Sequence, residues 1–228
     1  MQGLIILAAG SGKRMQASVS KQYLSLKGRP LLSYTIENLR LALPKARLIL
    51  VYKEADKPYL EKVLEDIGLQ PEAYTLVLGG KERQDSVYFG LKAMPKEVDE
   101  VFIHDGARPF VSQTLVENLL KGLEMAEGVI PLIKVTDTVK VIEDGFIQKT
   151  LPRESLGLAQ TPQAFKRALI LDLHERARKE GLLVTDDATL CEHYDIKVKA
   201  VLGEATNRKI TIKEDLAWAE WRLSCELE

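Results

Sequence analysis

Five short apolar runs, at Leu4–Ala8, Arg47–Tyr52, Tyr74–Leu78, Val101–His104 and Gly128–Ile133, alternate with stretches of helical period. That alternation constrains the chain most. Strands joined through helices pair in parallel, so the pattern predicts an α/β fold built on a mainly parallel sheet. Leu31, Leu32, Ile36 and Leu39 form one helical stripe, and Leu115, Val116, Leu119, Leu120 and Leu123 form another. Thr211 to Glu214 has the Ser/Thr-x-x-Glu form of a capping box, which predicts a terminal helix from Asp215 to Leu227. With 228 residues, 46% of them hydrophobic, one substantial core suffices, and a single domain over residues 1–228 is expected.

One segment breaks the alternation. Val135 to Ile142 reads as a strand of period two, Glu143-Asp144-Gly145 as a turn, and Phe146 to Thr150 as the return strand of a β-hairpin. A two-stranded ribbon is marginal alone in water, so it should lie either on its own domain or on another subunit. From the pattern, an edge hairpin folded back on its own sheet and a protruding dimerisation arm over residues 135–155 are equally open readings.

The first strand runs into Ala8-Ala9-Gly10-Ser11-Gly12-Lys13-Arg14-Met15, with Lys21-Gln22 close behind. Small residues at Ala8, Ala9, Gly10 and Gly12 let a phosphate or base approach backbone N–H donors, and Arg14 and Lys21 add positive charge. The loop is not a P-loop: Leu7 stands where the first glycine is needed, and Arg14 replaces the magnesium-binding Ser or Thr. It is not a dinucleotide fingerprint either, because Met15 fills the third glycine position.

Charge and cysteine content narrow the function classes. Thirty-two basic residues against 33 acidic ones give a net charge of −1, which argues against a nucleic-acid binder with a broad basic face. Positive charge must act locally. Cys191 and Cys225 stand alone, without metal-ligand spacing, which fits a reduced cytoplasmic compartment. The first strand starts almost at Met1, so no targeting peptide is expected, and no apolar run reaches the length of a membrane span.

Further polar clusters stand at the expected strand ends, where open α/β sheets bind ligands. Gly79-Gly80-Lys81-Glu82-Arg83-Gln84-Asp85-Ser86 enters a helix, and His104-Asp105-Gly106-Ala107-Arg108-Pro109 follows the fourth run. Arg153, Gln160-Thr161-Pro162-Gln163, Thr185-Asp186-Asp187 and Asn207-Arg208-Lys209 come later. Each has an ordinary reading: Lys13 and Lys81 as solvated surface, Arg83 as a partner of Glu82 or Asp85, and His104 as a satisfied structural histidine. His174 and His193 are given no role. Asp105 differs, since a carboxylate directly after an apolar strand can hold Mg²⁺ where phosphates arrive. No Gly-x-Ser-x-Gly elbow or His-Glu-x-x-His motif is present, so no activated nucleophile is on offer. A substrate phosphate attacking a nucleotide phosphate needs none, and catalysis then consists of positioning and charge neutralisation.

In that order the motifs Leu-Ala-Ala-Gly-x-Gly-x-Arg-Met, Lys-Gln, Gly-Gly-x-x-Arg-x-x-Ser, His-Asp-x-Ala-Arg-Pro, Asp-Thr, Thr-Pro-Gln, Thr-Asp and a late Lys span nearly the whole chain. The sequence resembles the 2-C-methyl-D-erythritol 4-phosphate cytidylyltransferase family. The resemblance implies a Rossmann-like nucleotidyltransferase domain that condenses CTP with a polyol phosphate, uses Mg²⁺ and forms a homodimer through the hairpin arm. By the same resemblance Arg14 and Lys21 would be catalytic, contacting the triphosphate. Cytosine would lie against Ala8, Ala9, Gly80 and Ser86, with Gly10, Gly12 and Arg83 completing the nucleotide site. Asp105, Arg108, Thr161 and Lys209 would border the second substrate, Asp105 also the metal, and Thr138 and Arg153 would come from the partner's arm. The chain departs from the family pattern at Ser20, where Pro is common, at Lys81, where an acid is frequent, and at Gly106, where Ala or Ser is common.

Three other readings compete. A ribitol 5-phosphate cytidylyltransferase shares most motifs, and Ala9 speaks against it. A catalytically silent nucleotide-binding module is disfavoured by the retained cations and Asp105. A sugar-nucleotide pyrophosphorylase is disfavoured by the short chain.

Overall fold

The computed structural model describes residues 1–10 and 19–225. The first strand, β1 (Gln2–Leu7), is central to the sheet. A miniature hairpin, β2 (Ser25–Leu26) and β3 (Arg29–Pro30), leads into α1 (Leu31–Ala42). Then come β4 (Arg47–Tyr52), α2 (Lys57–Asp66), β5 (Tyr74–Leu78), α3 (Arg83–Ala93), β6 (Glu100–Asp105), α4 (Gln113–Leu123) and β7 (Gly128–Lys134), in the alternation that the sequence predicts. β8 (Val139–Glu143) and β9 (Phe146–Leu151) form the hairpin. The chain closes with β10 (Gly157–Ala159), β11 (Gln163–Lys166), α5 (Arg167–Glu180), α6 (Asp187–His193), β12 (Val198–Leu202) and α7 (Lys213–Cys225).

Eight strands make the main sheet, in the order β10-β7-β11-β6-β1-β4-β5, with β12 on the other edge of β7. β5, β4, β1 and β6 are parallel neighbours. β11 runs antiparallel between β6 and β7, which leaves β7 and its parallel partner β12 pointing the same way as β6. Period-two alternation sorts the side chains. Leu4, Ile6, Leu48, Leu50 and Phe102 meet α1, α2 and α4 on one face, while Ile5, Ile49, Val51, Val101 and Ile103 meet α3, α5 and α6 on the other. Helices on both faces are what a buried parallel sheet requires, and they leave the carboxyl ends of the strands free for loops.

β10 and β11 were not foreseen, and they are the strands that shape the site. Both lie along one edge of β7: Gln160 donates to the Pro131 carbonyl (2.9 Å) and Lys166 to that of Glu127 (2.8 Å). The link between them, Gln160-Thr161-Pro162, contains a cis Thr161–Pro162 bond and passes beside the end of β6. Strands of three and four residues leave too little pattern for a sequence reading.

The hairpin differs from expectation at its start. β7 continues to Lys134, and residues 135–138 pair with no described strand, so the first arm strand begins at Val139 rather than Val135. β8 and β9 form their own two-stranded sheet and are not an edge of the main one. Ile142, Phe146 and Ile147 stand 65%, 74% and 66% exposed on it, which removes the folded-back reading.

The terminal helix also starts differently. It begins at Lys213, and Asp215 rather than Glu214 is the capping acid: its carboxylate accepts from Ile212 N (3.1 Å), Thr211 N (2.8 Å) and Thr211 Oγ1 (2.7 Å). With the helix starting at Lys213, Asp215 stands at its third position and reaches back to the N–H of Ile212, the residue before the helix.

Candidate active site

β4 lies between β1 and β5, and its last carbonyls hold both glycine loops. Ala8 N donates to Val51 O (2.7 Å), and Gly79 N donates to Tyr52 O (2.8 Å). The loops approach so closely that a Cβ on Gly79 would stand 2.5 Å from Ala9 Cβ, and one on Gly80 would stand 2.2 Å from Asp85 Cβ. Ser86 fixes the second loop: its hydroxyl accepts from Gly80 N (3.1 Å) and donates to Glu82 O (3.2 Å). Glu82 and Asp85 cap α3 reciprocally, so the helix start that carries Arg83 is rigid.

The cleft above these loops has a volume of about 320 Å³ and reaches from Ala9 and Gly10 across Gly80 to Asp105 and Lys209. Its described lining holds five cationic side chains, Lys21, Lys53, Lys81, Arg83 and Lys209, against two acids, Glu82 and Asp105. Such a cleft suits polyanions.

Asp105, the last residue of β6, gathers three of the site's cations. Lys209 Nζ lies 2.7 Å from its Oδ2, Arg83 Nε 3.5 Å from Oδ1 and Arg108 Nε 3.7 Å from Oδ2. Burial alone would raise its pKa, but Arg83 and Lys209 outweigh that and hold the carboxyl well below the usual carboxylate range. Backbone bonds place these partners. Arg108 donates to Asn207 O (2.9 Å), Asn207 Nδ2 donates to Thr161 O (2.7 Å), and Ile210 N donates to Ala107 O (2.8 Å). Lys209 is thereby carried onto a carboxylate far away in sequence. Gly106 fits tightly too, since a Cβ there would meet Leu7 O at 2.9 Å.

His104 proves structural, by a hydrogen-bond chain that serves the site. Asp105 N donates to Thr161 Oγ1 (3.1 Å), the Thr161 hydroxyl lies 3.2 Å from His104 Nδ1, and His104 Nε2 lies 3.0 Å from Arg108 O. A carbonyl only accepts, so Nε2 carries the proton and Nδ1 accepts from Thr161. Burial pushes the His104 pKa down to about 4, and the neutral ring is the one that completes this chain.

The structure places most expected residues together. Ala9, Gly10, Lys21, Gly80, Arg83, Ser86, Asp105 and Lys209 line the cleft. Thr161 and Arg108 lie behind it, bonded to the Asp105 backbone and beside its carboxylate. Ala8 faces the core, fully buried, and offers the site only its backbone, whose carbonyl accepts from Gln22 Nε2. Gly12 and Arg14 lie outside the described residues. Thr138 and Arg153 do not line this chain's cleft; Arg153, on the arm's return, donates to Thr136 O (3.0 Å) and faces Glu154 (3.6 Å). Two contributors escaped sequence reasoning. Lys53 follows β4 directly, a position at a parallel strand's carboxyl end that could have flagged it. The other is His174 behind Arg83: its partner Asp187 stands in the cluster Thr185-Asp186-Asp187 that the sequence singles out, but His174 had no such signal.

Asp105 fits poorly as a magnesium ligand. Both of its oxygens already face cations, and among the described residues no three His, Cys, Asp or Glu side chains converge on a point. Mg²⁺ at a phosphate site needs only one or two carboxylates beside the substrate's own oxygens and water, so what weighs against Asp105 is that its oxygens are already engaged by cations.

The comparisons agree with this geometry. The family model described as IspD, 2-C-methyl-D-erythritol 4-phosphate cytidylyltransferase, matches residues 3–224. A protein of that name from Geobacter metallireducens is 44% identical over 221 residues, covering 95% of this chain and 94% of the relative. Another from Geotalea uraniireducens is 41% identical over 219 residues, with the same coverage of 95% and 94%. Among solved structures, a 4-diphosphocytidyl-2C-methyl-D-erythritol synthase from Anaerococcus prevotii superposes with a TM-score of 0.86 at 34% identity, covering 98% of each chain.

Proposed function

The chain belongs to the 2-C-methyl-D-erythritol 4-phosphate cytidylyltransferase family, and from that premise we propose that it transfers CMP from CTP to 2-C-methyl-D-erythritol 4-phosphate. The products are 4-diphosphocytidyl-2-C-methyl-D-erythritol and pyrophosphate, in isoprenoid precursor synthesis by the non-mevalonate route. The observation that carries this reading is the cleft's charge: five cations against two acids at the carboxyl ends of β1, β4, β5 and β6.

The reaction follows from that charge. A phosphate oxygen of the polyol phosphate, already ionised, attacks the α-phosphorus of CTP, and the bond to the bridging oxygen of pyrophosphate breaks. No side chain needs to become a nucleophile. Cytosine lies against Ala9, Gly80 and Ser86, whose hydroxyl and backbone are already fixed. Lys21, with Arg14 of the same loop, neutralises the triphosphate and the pentavalent transition state. Lys209 and Arg108, held by Asp105, present positive charge to the incoming monophosphate. Mg²⁺, when bound with the triphosphate, would neutralise part of its charge.

The whole chain acts as one catalytic unit in this proposal, with residues 135–155 as an arm to a second copy. The exposed Ile142, Phe146 and Ile147 on the arm support a homodimer, and Thr138 and Arg153 then complete the neighbour's site. The two unpaired cysteines, one of them buried, support a reducing cytoplasm. No helix among the described residues is long and apolar enough to cross a membrane.

The test is pyrophosphate release with CTP, ATP, GTP and UTP, each against methylerythritol 4-phosphate and ribitol 5-phosphate. Turnover confined to CTP with methylerythritol 4-phosphate is expected. Preference for ribitol 5-phosphate would overturn the substrate assignment, and no turnover of any pair would overturn the enzyme.

A further inference from the structure

Arg83 is held from two sides and left open on the third. Its Nε faces Asp105 Oδ1 at 3.5 Å and its Nη1 donates to Asp187 Oδ2 at 2.8 Å, while Nη2 is buried without a hydrogen-bond partner. A guanidinium is a rigid planar fork, so fixing two of its nitrogens fixes the direction of the third. An unpaired buried donor is costly unless a ligand satisfies it, and Arg83 is a residue that lines the cleft.

Asp187 is itself seated from behind. It is the first residue of α6, its side chain is 1% exposed, and its Oδ1 lies 3.0 Å from Nε2 of His174, which is fully buried on α5. Its backbone N donates to Gln163 Oε1 (3.1 Å), and the Gln163 amide donates to Asp186 (2.7 Å), which ties the start of α6 to β11. Burial favours the neutral acid, yet Arg83 and His174 keep the carboxyl below its ordinary range. Asp187 does not line the cleft, so it can act on a ligand only through Arg83.

We infer that Asp187, seated by His174, is a positioning residue that aims Arg83 Nη2 at an acceptor atom of the bound nucleotide. Without Asp187 the guanidinium loses the partner that fixes Nη1, and the direction of Nη2 is no longer set. The inference rests on the cytidylyltransferase reading in naming CTP as the nucleotide.

The experiment is a double-mutant cycle on CTP binding to the full chain, measured by calorimetry without the second substrate. Asp187→Asn keeps the shape but removes the charge, and CTP affinity should fall about tenfold, the usual loss for a misdirected charged hydrogen bond. In an Arg83→Ala background the same change should do nothing further. KM for CTP should rise while KM for the polyol phosphate stays put, a split that general loosening would not give. His174→Gln, which can present a donor to Asp187, should keep affinity, whereas His174→Leu should lose it; this pair serves if Asp187→Asn does not fold. Equal losses from Asp187→Asn with and without Arg83, or unchanged affinity in a folded His174→Leu, overturn the inference. Wild-type protein that binds no CTP sinks the underlying reading instead.

Discussion

Lys209 Nζ lies 2.7 Å from the Asp105 carboxylate, although the two residues stand far apart in sequence. Asp105 ends a central strand and Lys209 sits in a late loop, and the Asn207–Thr161 and Ile210–Ala107 bonds bring them together. The carboxylate therefore organises cations.

Asp105→Asn should thus leave three cations crowded around a neutral group. Removing one partner from a buried ionic cluster costs about 3 kcal/mol, readable as a lower urea midpoint at pH 7. Chelation of Mg²⁺ should stop turnover in wild type and variant alike, since the triphosphate still needs its counterion. The Mg²⁺ concentration for half-maximal rate should be the same in both; a clear rise in the variant would return Asp105 to the metal.

Arg14→Ala and Lys21→Ala should each lower kcat by about 10²–10³ while the circular dichroism spectrum and urea midpoint stay near wild type. In the proposed reaction each side chain contributes positive charge to the reacting phosphates. Rates within a few-fold of wild type for both would overturn the assignment of the first loop.

His104 gives a pH dependence of definite sign. Its folded pKa of about 4 lies below the ordinary 6.5, so between those values the unfolded chain takes up a proton that the folded chain refuses. Stability falls as pH is lowered through that window, by about 1.4 kcal/mol per unit at most. Urea unfolding at pH 7 and pH 5 should show a larger loss for wild type than for His104→Gln. Equal losses would mean that the ring is not held neutral by the Thr161 chain.

The arm is tested by complementation. Arg153→Ala and Lys21→Ala subunits, each nearly inactive, should recover activity on mixing if Arg153 serves the neighbouring site. Random exchange gives about half heterodimers, each with one intact site, hence roughly a quarter of wild-type activity. A mixture that stays inactive after verified exchange would confine Arg153 to its own chain.

What the sequence by itself determined is what local pattern can encode. The five apolar runs match the strands β1, β4, β5, β6 and β7 nearly to the residue: β1, β4, β6 and the start of β7 are buried and demand apolar side chains, and the part-exposed edge strand β5 still carries an apolar run. The clusters around Gly80, Arg83 and Asp105 were legible because polar residues begin where the apolar pattern stops at strand ends, while Arg83 and Lys209 received roles only through the family resemblance. Only the tertiary structure decided which of them meet. The antiparallel return of β10 and β11 brings Thr161 to Asp105 and His104, and the packing of α5 against α6 sets His174 behind Asp187 and so behind Arg83. Those contacts join short or helical segments far apart in sequence. Their partners are selected by the closing of the core, which no local periodicity records.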